Sequence, residues 1–97
     1  MLDDILTIEG EETDVDQAEA IQRSINSLSA WRQPGSIGRT LMGAIEAGEA
    51  MLGHEDTRDY YGNHIPSRSQ VEAGTKGSFE FVASRSGRAW ADRMGAL

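Results

Sequence analysis

Six apolar residues, Val15, Ala18, Ile21, Ile25, Leu28 and Trp31, follow one another at intervals of three, three, four, three and three. That rhythm matches the turn of an α-helix and places all six on one face. An apolar face must be covered by another element, so this stripe commits the chain to a packed helical layer. Pro34-Gly35 marks its end. Thr13 with Asp16, and Asp16 with Glu19, have the spacing of a capping box. Asp14, Asp16 and Glu19 then fall near the positive end of the helix dipole, which favours acids there.

A second helix is expected over about 37–52, capped by Ser36. It would bring Ile37, Leu41, Ala44, Ile45, Gly48 and Leu52 to one face and stop at Gly53. It is a slim helix. Interior glycines cost about 1 kcal/mol each relative to alanine, so Gly43 and Gly48 suggest a close-packed neighbour. Residues 54–69 read as a loop, with a turn at Gly62-Asn63 and no helix possible at Ile65, which precedes Pro66. Ser67 with Gln70 is a further capping-box candidate, opening a short turn of helix.

The last segment has two readings. Phe79-Glu80-Phe81-Val82 alternates like a strand. Yet Ser78 can cap a helix in which Phe79, Val82, Ala83, Ser86, Trp90, Met94 and Leu97 share a face, with Gly87 as its weak point. The helix is the favoured reading. The expectation is therefore a mostly α fold: one small domain over 1–97, built on an antiparallel helix hairpin plus a C-terminal helix. The alternative is α+β, with a short strand pair formed by about 4–8 and 79–83. Residues 1–12 are set apart as an acidic N-terminal segment, flexible unless Ile5–Ile8 finds such a partner.

Charge is segregated along the chain. Half of the sixteen acids lie in the first twenty residues, which contain no base. Asp14, Asp16 and Glu19 are accounted for by the helix start. Asp3, Asp4, Glu9, Glu11 and Glu12 are not, and a block of like charge reads as a surface for a basic partner. The absence of cysteine, the acidic Met1-Leu2-Asp3-Asp4 start and the lack of an apolar run of about 18 residues point to a cytoplasmic protein without a membrane span.

No catalytic or metal signature emerges. His54 and His64 are ten residues apart among Glu55, Asp56 and Asp59, which is no standard ligand spacing. None of the serines sits in a strand–turn–helix elbow. Gly35-Ser36-Ile37-Gly38-Arg39-Thr40 faintly resembles a phosphate loop but lacks its lysine and preceding strand. Arg58, Arg68, Lys76, Arg85, Arg88 and Arg93 could form a basic patch. A net charge of −7 opposes direct nucleic-acid binding.

The richest cluster is the loop carrying Arg58, Tyr60, Tyr61, His64 and Arg68, since tyrosine and arginine dominate binding loops. The expectation is a non-enzymatic protein-binding module with no cofactor. Its contacts would come from Asp3, Asp4, Glu9, Glu11 and Glu12 together with that loop. By analogy of class, and not of residues, small acidic cysteine-free chains without motifs are typical phage or plasmid accessory proteins. Such a protein would bind and inhibit a basic nucleic-acid-handling host complex, as anti-CRISPR and anti-restriction proteins do. The alternatives are a small transcriptional or nucleic-acid-binding regulator, and a small enzyme or enzyme subunit using the 58–68 loop. The slim second helix also admits a homodimer.

Overall fold

The computed structural model describes residues 14–97. Four α-helices, α1 (Asp14–Asn26), α2 (Ser36–Ala47), α3 (Phe79–Ser86) and α4 (Arg88–Gly95), account for most of its regular structure. Between α2 and α3 lies a two-stranded antiparallel hairpin, β1 (Thr57–Arg58) and β2 (His64–Ile65), in which Thr57 faces Ile65 and Arg58 faces His64. The fold is thus mostly α, with a short strand pair. That pair is not the one weighed from the sequence: 79–83 is helical, and 4–8 lies outside the described residues, as does Thr13. No helix among the described residues is long and apolar enough to cross a membrane.

The first stripe does bury its face, but not as one continuous helix. α1 stops at Asn26, and a 3-10 turn over Ala30–Arg32 carries Trp31 back into the core. The residues at the break explain it. Asn26, Ser27 and Ser29 have short polar side chains that compete with the helical backbone. The two serine hydroxyls bond each other at 3.1 Å, and the Asn26 amide donates to the Leu97 carbonyl.

α2 ends five residues earlier than the glycine pattern suggested. Gly48, not Gly53, takes the left-handed conformation (φ +77°), and its N–H and that of Glu49 return to the Ala44 carbonyl. A Cβ there would sit 2.5 Å from the Arg85 Cβ, so the close packing expected at Gly48 is real. At Gly43 it is not, since an added Cβ meets nothing within 4 Å. Gly53 instead lets the chain pass close to α1, where a Cβ would lie 3.1 Å from the Ile25 carbonyl.

Residues 50–52 follow α2 without regular secondary structure, and their side chains divide between two cores. Ala50 and Leu52 enter a core with Ile25, Trp31, Leu41, Ile45 and Ile65. Met51 points the other way, into a second core with Ala18, Val82, Ala91 and Met94. A segment that belongs to neither helix nor sheet has no ladder to satisfy its backbone. Here side chains and loops replace it. The Gln22 amide bonds both the N–H and the carbonyl of Met51 at 2.9 Å. Gly77 accepts from the Leu52 N–H at 3.0 Å, and the Arg68 Nε donates to the Leu52 carbonyl at 2.8 Å.

The C-terminal face is the expected one, folded in two. Gly87 (φ +99°) separates α3 from α4. Phe79, Val82, Ala83, Trp90, Met94 and Leu97 still converge on the second core. Ser86 leaves that face to donate to the Gly48 carbonyl at 2.8 Å. The Ser78 hydroxyl caps α3 by accepting from the Phe81 N–H at 3.1 Å.

Candidate protein-binding site

The Tyr60-Tyr61 hairpin is built around Asp59. Its carboxylate accepts from the Tyr61 N–H and the Asn63 N–H, both at 2.9 Å, and from the Asn63 side-chain amide at 3.3 Å. The Asp59 N–H donates to the Asn63 carbonyl, and its own carbonyl accepts from the Gly62 N–H, both at 3.0 Å. Gly62 supplies the left-handed residue the turn needs (φ +84°). Arg58 closes the outside by donating from Nη1 to the Gly62 carbonyl at 2.9 Å. The Asp59, Asn63 and Arg58 side chains are therefore committed to holding the shape of the turn.

The tyrosines are not committed in that way. They are the only large hydrophobic side chains that stand exposed among the described residues, at 55% for Tyr60 and 69% for Tyr61. Their rings meet edge to face, 5.1 Å apart at 84°. Behind them runs a groove of about 170 Å³, floored by Trp31, Met42 and Ile65 and edged by Arg39 and Gly35. It joins three segments remote in sequence: the 3-10 turn, the start of α2 and the hairpin.

His64 and Arg68, both singled out from the sequence, face elsewhere. The His64 Nε2 lies 3.0 Å from the Asp56 carboxylate. This hydrogen bond holds the Asp56 carboxyl below the usual aspartate value. A depressed carboxyl pKa stabilises above the unfolded value and loses that effect as pH falls through the folded one. His64→Ala is expected to return the Asp56 titration midpoint, followed by carboxyl NMR, to the ordinary aspartate range. An unmoved midpoint would refute the pairing. Arg68 is half-buried, and that burial lowers its pKa; its guanidinium serves Leu52 and the Asn26 side chain. It braces the fold and lies outside the tyrosine face. Asp3, Asp4, Glu9, Glu11 and Glu12 lie outside the described residues.

Sequence reasoning did not single out Trp31, Met42 or Ile65 as site residues: Trp31 belongs to the apolar stripe, Met42 lies off the face expected of the second helix, and Ile65 falls in the 54–69 loop. The Gly35–Thr40 stretch was noticed for a different reason, and its Arg39 now lies at the groove edge. The basic residues considered for a nucleic-acid patch are largely engaged. Arg93 Nε meets Glu19 at 2.7 Å and Arg88 Nε meets Asp92 at 3.2 Å, while Arg85 lies over the Phe81 ring. Glu19 thus ties α1 to α4 and also lies 3.8 Å from Arg23 of its own helix. His54 turns to the Leu97 carbonyl, so the two histidines serve different partners. Among the described residues no group of three metal-ligating side chains comes together.

Fold and site together define a small, mostly helical domain with a rigid aromatic-tipped hairpin beside an apolar groove. Compared with known proteins, the chain matches no family model, no curated protein and no solved structure.

Proposed function

We propose that this chain is a non-enzymatic protein-binding module whose contact surface is the Tyr60-Tyr61 hairpin and the groove behind it. The observation that carries this reading is the exposed tyrosine pair on a turn braced by the Asp59 carboxylate. Exposed aromatic surface gains nothing for the monomer, while rigid tyrosines lose little entropy on binding and often dominate interface energetics.

The partner we favour presents a basic surface, because five of the sixteen acids lie in the first twelve residues without a base among them. A nucleic-acid-handling host complex, inhibited by a phage- or plasmid-encoded chain of this kind, has such a surface. A cytoplasmic setting fits the same reading.

The test captures the partner from host lysate and then measures the purified pair. Tyr60→Ala with Tyr61→Ala is expected to weaken binding by about 30-fold or more, the scale of a hot spot of about 2 kcal/mol or above. The circular-dichroism melt should stay in place. Affinity should also fall steeply with salt, and converting Asp3, Asp4, Glu9, Glu11 and Glu12 to amides should slow association. Undiminished binding by the double tyrosine variant would sink the proposal.

A further inference from the structure

A second groove, of about 480 Å³, lies between α1, the residues just past α2 and the joint of α3 with α4. It is lined by Gln17, Ala18, Ile21, Glu49, Ser86 and Trp90. It runs over the seam between the two cores, because Ile21 borders the first while Ala18 and Trp90 lie with the second. Two of its polar groups are engaged within the fold. The Trp90 Nε1 donates to the Glu49 carbonyl and the Ser86 hydroxyl donates to the Gly48 carbonyl, both at 2.8 Å. The one donor of the indole is thus satisfied. What Trp90 and Ile21, both half-buried, leave open to the groove is carbon.

The sequence supplies an occupant at short range. Residues 1–13 precede α1, and five of the first eight, Met1, Leu2, Ile5, Leu6 and Ile8, are apolar. Gln17 and Ile21 stand about 5 and 10 Å from Asp14 along the helix axis. An extended chain covers about 3.3 Å per residue, so Ile8 and Ile5 can reach roughly 20 and 30 Å from Asp14, well past Ile21. Ile5-Leu6-Thr7-Ile8 carries no charge, while Asp4 and Glu9 bracket it. The stretch can therefore enter the groove with both carboxylates left in solvent, and Glu49 faces an uncharged segment. A short tether also holds it at an effective concentration in the millimolar range. A second copy has no such advantage and brings another net charge of −7. We infer that Ile5, Leu6 and Ile8 dock in this groove against Ile21 and Trp90. That docking fixes Asp3, Asp4 and Glu9 beside α1, as one edge of the surface offered to a basic partner. This consequence, unlike the docking itself, rests on the protein-binding reading above.

The chain has no cysteine, so Glu9→Cys gives a single site for a nitroxide spin label on the full, isotope-enriched protein. Paramagnetic broadening of NMR signals is expected to be strong at the Ala18 and Ile21 methyls and the Trp90 indole, and weaker at the Tyr60 and Tyr61 rings. Ile5→Ser with Leu6→Ser, added to the labelled chain, removes the apolar contact without changing charge. It should abolish the broadening at Trp90 and leave that on the first turn of α1, which the tether alone produces. It should also shift the Trp90 indole resonance of the unlabelled chain while the Trp31 indole stays in place.

Broadening confined to the first turn of α1 would overturn the inference. So would Trp90 broadening that survives the two serines, or a Trp90 resonance indifferent to them. Mixing spin-labelled chain of natural isotope content with unlabelled, isotope-enriched chain tests a second copy. Broadening of Trp90 in that mixture assigns the groove to another protomer and refutes docking within one chain. None of these readouts uses the partner. Should Trp90 stay unbroadened while the tyrosine variant loses the captured partner, only the docking falls. Should the tyrosine variant bind normally while Trp90 is broadened, only the protein-binding reading falls.

Discussion

Gln22→Leu is expected to lower the folding free energy by about 2–4 kcal/mol, read as a fall in the urea midpoint at unchanged slope. The substitution roughly keeps side-chain volume, so the loss is not a cavity effect. Gln22 is fully buried, and its amide satisfies both backbone groups of Met51 at 2.9 Å while also bonding Asn26 at 3.1 Å. Leucine leaves a buried N–H and a buried carbonyl with nothing to bond. Each such orphan costs about 1–3 kcal/mol, against which burying the extra apolar side chain offsets about 1–2 kcal/mol.

The native state of a chain this size is worth only about 5–15 kcal/mol, so the effect is a large share of the whole. Gln22→Glu makes a sharper companion. A carboxylate can still accept from the Met51 N–H but faces the Met51 carbonyl without a proton. Burial raises its pKa in the folded state. The stability of that variant should therefore recover as pH falls and the carboxyl becomes a donor, a direction opposite to acid unfolding. A Gln22→Leu midpoint within about 0.5 kcal/mol of the parent would mean that the Met51 strip finds water or other partners instead.

Gln22 also shows where the sequence was legible and where it was not. Its own helix was plain from spacing, because every residue that defines the stripe lies within a few turns. The same holds for the Ser67–Gln70 capping box, whose two bonds close over three residues, and for the shared face of α3 and α4. The irregular segment at 50–52 was invisible. Choosing Gly48 over Gly53 as the end of α2 depends on Arg85 and Phe81, far along the chain, pressing against Gly48. Arg68 looked like a loop arginine until Leu52, sixteen residues earlier, proved to need its donor.

The candidate site divides in the same way. The tyrosine hairpin was visible as a loop rich in turn and contact residues, and its bracing is local to 58–63. The groove was not, since its floor is drawn from positions 31, 42 and 65. Apolar residues at helical or strand spacing signal burial but do not say which buried side chain keeps one edge at the surface.

Trp31 lies on that boundary, and its truncation is the other large effect. Trp31→Ala is expected to cost about 3–5 kcal/mol, the range for removing a large buried aromatic. The side chain is 2% exposed and packs among Ile25, Leu41 and Ile45. Its indole also donates to the Ile25 carbonyl at 3.1 Å. Carbonyls of the last helical turn have no partner within the helix, so Trp31 acts as the remote cap of α1. Trp31→Phe separates the two roles. It keeps most of the aromatic area and loses the N–H, so about 1–2 kcal/mol is expected from the freed carbonyl and the smaller ring. Both losses are measured by chemical denaturation followed by circular dichroism, because Trp90 complicates fluorescence. Trp31→Phe should remain folded at room temperature, yet its groove floor is altered. If the groove contributes to recognition, this variant loses partner affinity while the hairpin tyrosines stand intact. If it binds as the parent does, recognition belongs to the tyrosine tip alone, and the buried indole serves only to end α1 and fill the core.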